Sequence, residues 1–357
     1  MQIGIGLSIA GLTQGAPYSA YAANALIPPL IADFINNIYV KDGVASTFDG
    51  LLDYTCAGSS TYIDSSGVLQ TALANVPRLG NHIYNGSAWV NDGLRIESAA
   101  ATNLLLNNGT LSTQNVTVTN AAHTLHFTGT GTLTLTGTAT DGPLVGAGTG
   151  ENNRVSLTFT PTAGTLTVTV SGTVTNAQLE LGSVPSSVIA TAGSTVTRPA
   201  QTLEIAAADM PTYTGALSIQ MQGSMTYADN AAASQQTFAR WYTDASNFIT
   251  IDMDTDGAAT GEINADQNRS GTLDNVVAGA EYSPGINVPF NLASRHGSTF
   301  INVAKDGTAA TANETPTAIA DLSAEDFQIA SDLNGNLHQL ILWPEDIGDT
   351  GIEEATS

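Results

Sequence analysis

Cysteine is almost missing from this 357-residue chain: Cys56 stands alone, so no disulfide closes within it. A reactive thiol wants a cationic or imidazole neighbour, and the nearest in sequence are Lys41 and Arg78, so Cys56 is expected as an apolar packing residue. Charge is sparse as well, at 11% of residues, and aromatics make up 6%. Disordered acidic chains are far richer in charge, so this is folded material with a Thr/Ser/Gly/Asn surface. Basic side chains are scarcest: nine Lys and Arg face 32 Asp and Glu, a net charge of −23. Residues 1–200 hold five basic and ten acidic side chains, residues 201–357 four and twenty-two. A half at −18 (4 − 22) repels phosphate backbones, which excludes nucleic-acid binding through it. No run of eighteen apolar residues occurs, so no membrane insertion is expected. The opening Met1-Gln-Ile-Gly-Ile-Gly-Leu superficially resembles a signal peptide ending near Ala20-Tyr-Ala22, but no Lys or Arg precedes Lys41 and cleavage is not expected. The five histidines have no His or Cys at zinc-site spacing, and nucleophile-elbow, P-loop and dinucleotide motifs are missing.

What the chain has instead is threonine alternating with apolar residues. Val116-Thr-Val118, Leu125-His-Phe127, Leu133-Thr-Leu135, Val155-Ser-Leu157-Thr-Phe159 and Leu166-Thr-Val168-Thr-Val170 share one pattern. Period two puts the apolar side chains on one face of a pleated strand and the hydroxyls on the other. Thr is β-branched and suits that exposed face. Gly129, Gly131, Gly137, Gly142, Gly148 and Gly164 punctuate the runs as turns. The fold class is therefore all-β: tandem antiparallel β-sandwiches, with more than one core for this length.

Five regions follow. Residues 1–45 form an apolar Gly/Ala/Pro-rich leader, interrupted by Pro28-Pro29 and free of charge until Asp33; it reads either as a strand-like arm packed on the first domain or, the preferred expectation, as an anchoring arm that docks on another protein of a larger assembly. Residues 46–106 form a small β segment with hairpin turns at Asp64-Ser-Ser-Gly67 and Asn85-Gly86. Residues 107–200 are the Thr-rich sandwich and 201–345 a more acidic one. Residues 346–357 are a tail, read as a frayed turn or short helix.

Three constellations carry candidate chemistry. Asp252-Met-Asp254-Thr-Asp256-Gly257 opens like a calcium loop, with carboxylates at positions 1, 3 and 5 and Gly at 6. Position 12 is Ile263 rather than a bidentate Glu and no helices flank it, which excludes an EF-hand and leaves a looser Ca²⁺ turn as the weak cofactor reading; otherwise no cofactor is expected. The alternative is a solvated strand face running into a Gly turn, with Phe248, Ile251 and Met253 on the buried side. A glucanase-type Glu-x-Asp-x-x-Glu is not present, so a non-enzymatic protein is expected. Trp241, Tyr242, Asp244 and Asn247 lie close together on one hairpin and make the candidate glycan-binding group, weighed against Trp241 or Tyr242 filling the core. Trp343 and His338 read as packing residues, and Trp89 as an interface or sheet-covering ring.

At Tyr54-Thr-Cys-Ala-Gly-Ser-Ser-Thr-Tyr-Ile-Asp-Ser-Ser-Gly-Val-Leu-Gln-Thr-Ala-Leu-Ala-Asn-Val-Pro-Arg78, followed by Gly93-Leu-Arg-Ile-Glu-Ser-Ala-Ala-Ala-Thr-Asn-Leu-Leu-Leu106, the sequence resembles virion proteins of tailed bacteriophages. The Val116–Ser186 block, with Asn176-Ala-Gln-Leu-Glu-Leu-Gly182 and Thr197-Arg-Pro199, is similar to their jelly-roll, carbohydrate-binding-module-like domain. Asn247-Phe-Ile-Thr-Ile251, Asn302-Val-Ala-Lys-Asp-Gly307 and the closing Leu-Ile-Leu-Trp-Pro344 resemble a concanavalin A-like (laminin-G type) jelly roll. Cys56 stands where those proteins usually carry Arg, and Leu79-Gly-Asn-His-Ile-Tyr84 replaces their acidic stretch. The resemblance implies a tail fibre, head fibre or spike on the virion surface. It would be held to other virion proteins through the arm, assembled as a homotrimer and attached to host-surface glycan. The alternatives are a capsid decoration or tail structural protein acting only through protein contacts, and a glycan-depolymerising enzyme.

Overall fold

A computed structural model describes residues 18–213, 215–230, 234–279 and 282–357. Among these, the ladders are antiparallel and one α-helix occurs, Gly348–Ala355. Two sandwiches hold nearly all the strands, as the threonine periodicity predicts.

The Thr-rich sandwich faces a four-stranded sheet (Gln114–Val118, Gly164–Ser171, Thr132–Gly137, Leu144–Val145) against a three-stranded one (Val155–Phe159, His123–Gly129, Val174–Leu181). Its core is the set the alternation selects, including Leu125, Phe127, Leu133, Leu135, Leu166, Val168 and Leu179. Thr134 and Thr136, between the buried leucines, face solvent. One strand departs from the pattern. His123–Gly129 is buried along its whole length, because side chains cover its hydroxyl face too. Thr128 pairs with Thr175 at 3.0 Å, and His126 Nε2 lies 3.2 Å from Glu180.

The main sandwich is assembled from distant parts of the chain. Its larger sheet runs Thr308–Ala309, Ile301–Lys305, Gly285–Gly297, Ala216–Tyr227, Asn334–Trp343, Leu30–Asp33, Ile38–Lys41, Val44–Ser46, with Leu94–Glu97 and Arg78–Leu79 branching from Asn334–Trp343. The facing sheet has seven strands: Thr272–Ala278, Ile263–Arg269, Asn247–Asp254, Gln235–Asp244, Phe327–Asp332, Gln201–Ile205 and Asp53–Cys56. Between them Trp241, Phe238, Phe290, Phe327, Leu340 and Leu342 form one core.

This corrects the anchoring arm. Residues 30–46 are integral strands: Ile31 lies opposite Ile341 in the sheet, and Leu30, Ile31 and Ala32 are buried. The apolar character of Leu30–Asp33 is explained by burial on both faces, while Val44–Ser46 is the exposed edge strand. Residues 18–26 pack with them on the back of the larger sheet, where Trp343 Nε1 donates to Leu26 O and Tyr21 to Asp33. Residues 1–17 of the proposed arm lie outside the described residues. Residues 46–106 are likewise no separate segment, since Asp53–Cys56 and Leu94–Glu97 are strands of the main sandwich. Phe48–Gly50 is a 3-10 turn. The two predicted hairpins do form, Ser60–Ile63 with Leu69–Ala72 and His82–Tyr84 with Trp89–Asn91. Of the two readings of the C-terminal tail the short helix holds, Gly348–Ala355, and it is not frayed: Ile347 and Ile352 are buried against the back of the larger sheet, and Asp349 pairs with Arg295 at 2.9 Å.

A buried ionic hub joins the two sandwiches. Glu97 meets Arg78 at 2.7 Å, Arg95 at 3.1 Å and Arg198 at 3.2 Å, and accepts the Ser187 N–H at 2.8 Å and hydroxyl at 2.6 Å from the Thr-rich unit. Burial alone would raise its carboxyl pKa; the three guanidiniums outweigh that and hold it well below the ordinary range.

Candidate functional site

The seven-stranded sheet turns one face to the core and the other outward, and alternation sorts its side chains between them. Ile249, Ile251 and Met253 go inward, while Phe248, Thr250 and Asp252 go outward. The neighbouring strand contributes Arg240 and Tyr242 outward and Trp241 inward. Register aligns these residues across the sheet. Tyr242 lies opposite Phe248, and Arg240 opposite Thr250, which in turn faces Asp266.

The result is a depression of 250 Å³ whose lining includes Arg240, Tyr242, Phe248, Thr250, Asp252 and Asp266. Tyr242 and Phe248 stack with centroids 6.2 Å apart and planes 30° apart. The Arg240 guanidinium sits 3.7 Å above the Tyr242 ring. Asp252 is only 4% exposed, and its Oδ2 accepts from Thr250 at 3.2 Å while Oδ1 has no partner among the described residues. Burial, reinforced by the nearby Asp266 and Asp254 carboxylates, lifts the Asp252 pKa to about 7. Asp266 is raised as well, again mainly by burial, although Asn275 donates to it at 2.6 Å. Near neutral pH the site thus presents a carboxyl that switches between donor and acceptor, beside an acceptor, a guanidinium and two rings. That inventory can hydrogen-bond vicinal hydroxyls and stack on the apolar face of a sugar ring.

The four residues expected as a glycan group are not brought together. Trp241 is a core residue, 1% exposed, donating to Glu325 O at 2.8 Å and packed edge-on against Tyr213 and Phe327. Asp244 accepts from Ser246 N and Asn247 Nδ2, and Asn247 Oδ1 from Ser270 N, so these two build hairpin ends. Tyr242 alone belongs to the depression. Phe248, expected on the buried side, faces outward; counting parity from Ile251 would have placed it correctly. Asp266 left no signal in the sequence, because it comes from the next strand.

The calcium reading gains no geometry. Asp254 accepts from Gln235 at 3.2 Å and Asn264 at 3.2 Å, while Asp256 bridges to Asn230 beyond the strand's end, where alternation no longer aligns it with the other two. Among the described residues no three His, Cys, Asp or Glu side chains gather as a metal site. His338 pairs with Asp92 at 2.7 Å, and Cys56 is buried with its thiol 3.1 Å from Gly58 O.

No protein-family model matches the chain, and no curated protein sequence does. Among solved structures it is similar to the carbohydrate-binding module CBM40 of the Ruminococcus gnavus IT-sialidase bound to α2,3-sialyllactose (10% identity, TM-score 0.32), over 41% of this chain and 84% of that one. It is also similar to a leech intramolecular trans-sialidase (12%, TM-score 0.33), over 40% of this chain and 23% of that one. A third is botulinum neurotoxin type C, in a structure whose subject is cell entry through two ganglioside molecules (9%, TM-score 0.34), over 44% and 39%. Likeness at this level carries no argument about ligand or role.

Proposed function

We propose that this chain is a non-enzymatic structural protein of a tailed-phage virion that attaches to glycan through the outward face of its seven-stranded sheet. The observation that carries the glycan reading is the ring pair Tyr242–Phe248 beside Arg240 and a buried Asp252 with an unpartnered oxygen. The rings supply faces for a sugar to stack on, and Arg240 a donor for its hydroxyls. The virion assignment draws on the resemblance over 54–78 and 93–106. On this reading the chain sits at the virion surface, holds to other virion proteins and self-associates as a homotrimer, gaining avidity from several weak sites. It needs no cofactor.

A glycan array probed with the full chain tests this. Binding is expected, with a loss of tenfold or more in Phe248→Ala and Arg240→Ala at unchanged melting temperature. Array binding untouched by both substitutions rejects the face. The protein-contact reading is favoured by one observation, the exposed Val68, Leu73 and Val76 on and just beyond the first hairpin. A silent array with retained particle binding selects it. Sugar release from host polysaccharide, abolished by Asp254→Asn, would instead restore the enzyme alternative.

A further inference from the structure

A second cleft, of 310 Å³, lies where the two hairpins, the Thr-rich sandwich and the main sandwich meet. Such junctions are common ligand sites, and the volume falls at the low end of the range of about 300–1,000 Å³ typical of them. One wall is aromatic. Tyr84 and Trp89 lie opposite each other in their hairpin with ring centroids 5.4 Å apart, and Tyr84 is 40% exposed. The indole is held in place from behind: a Cβ at Gly67, in the turn of the first hairpin, would come within 2.2 Å of Trp89 Nε1. Only glycine, at φ +77°, lets that turn lie against the ring.

The other wall is cationic. Arg95 and Arg154 both line the cleft, and Glu151 is its single carboxylate. Glu151 is already engaged, one oxygen by Arg154 and the other by Asn176 at 2.9 Å. Arg95 makes its hydrogen bonds through Nη2 alone, to Glu97 and Asn334, so of the five guanidinium N–H donors those on Nε and Nη1 remain. Four of the chain's nine basic side chains (Arg78, Arg95, Arg154, Arg198) gather at this junction against three carboxylates, Glu97 among Arg78, Arg95 and Arg198, Glu151 on Arg154 and Glu180 beside His126, so cations outnumber carboxylates here in a protein of net charge −23. This contrasts with the depression on the seven-stranded sheet, where Arg240 is outnumbered by Asp252 and Asp266. An anion is therefore attracted here and repelled there.

We propose that this cleft binds a saccharide bearing a carboxylate, with Tyr84 and Trp89 stacking on a ring face and Arg95 and Arg154 receiving the acid group. Planar guanidiniums match carboxylate geometry, and rings cover the apolar face of a pyranose. The site is independent of the outward face proposed above, and the two can fail separately.

Tryptophan fluorescence reads it directly, since Trp241 and Trp343 are 1% and 0% exposed and only Trp89 lies at a surface. The full chain is titrated with oligogalacturonate, oligomannuronate and a sialylated trisaccharide, each beside its carboxyl-reduced neutral counterpart. A saturable change with at least one acidic form, tenfold or more weaker for the neutral form, is expected. Trp89→Phe should abolish the signal, Tyr84→Ala should weaken binding at least tenfold, and Phe248→Ala, in the other site, should leave the Trp89 fluorescence change intact, with melting temperatures as controls. If Tyr84→Ala lowers the melting temperature, the comparison of acidic with neutral forms on the unmodified chain decides alone. Equal affinity for the two forms, no saturable change with any of the three acids, or loss through Phe248→Ala with retention in a folded Tyr84→Ala overturns the proposal.

Discussion

The two sandwiches are built from similar strands but closed in different ways, and the difference governs how each is expected to fail. The Thr-rich unit closes on itself within one stretch, its core drawn from Leu105 to Leu179. The main unit needs Leu30–Asp33 against Asn334–Trp343 and Asp53–Cys56 against Gln201–Ile205, pairings that span most of the chain. Loop closure before such contacts form is entropically costly, so the main unit depends on segments that a local sandwich can do without.

Deleting residues 18–46 should break that contrast most sharply. It removes the three strands at one end of the larger sheet and the buried Leu30, Ile31, Ala32 and Phe34. The main sandwich should lose its cooperative transition in calorimetry, while a fragment spanning 101–198 keeps one. Next comes the hub between the units. Glu97→Ala leaves three buried guanidiniums without their carboxylate and should cost about 3–5 kcal/mol in urea unfolding. An unchanged midpoint would show the sandwiches to be uncoupled.

Asp252→Asn acts in the opposite direction. A carboxyl raised to about 7 in the fold destabilises it as pH climbs from the unfolded value near 4 through 7. Replacing it should stabilise the main sandwich by on the order of 2–4 kcal/mol above pH 7 and by little at pH 4. Parallel pH profiles of the two proteins would refute this. His296 has its pKa lowered to about 3 by burial. It stays neutral in the fold while the unfolded imidazole takes a proton below about 6.5, so its contribution is intact above that pH and falls by about 1.4 kcal/mol per unit as pH drops toward 3. The slope between pH 6 and 4 should flatten in His296→Gln. Thr134→Val, on the solvent face of the Thr-rich unit, should move stability by no more than about 0.5 kcal/mol.

The same contrast explains what was legible. Both hairpins lie where their turn residues put them, because Asp64 and Asn85 accept hydrogen bonds from backbone N–H groups within a few residues. The core of the Thr-rich sandwich follows directly from period two. The leader misled because an apolar segment reads alike whether it covers a partner or supplies buried strands to its own sheet. At the candidate site, proximity along the chain gathered Trp241 and Tyr242, but neighbours on a strand point to opposite faces. Arg240, Phe248 and Asp266 meet through cross-strand register.

The sequence by itself determined that this protein is all-β, where its local hairpins turn and which apolar residues fill the core of the Thr-rich sandwich, because those depend on alternation and turn chemistry within a few residues. Tertiary structure alone decided that the first strands complete the last sheet, that Glu97 collects three arginines and that a ring pair, a guanidinium and a buried carboxyl share one face. Each depends on the register between strands distant in sequence, which the packing of the whole sandwich fixes.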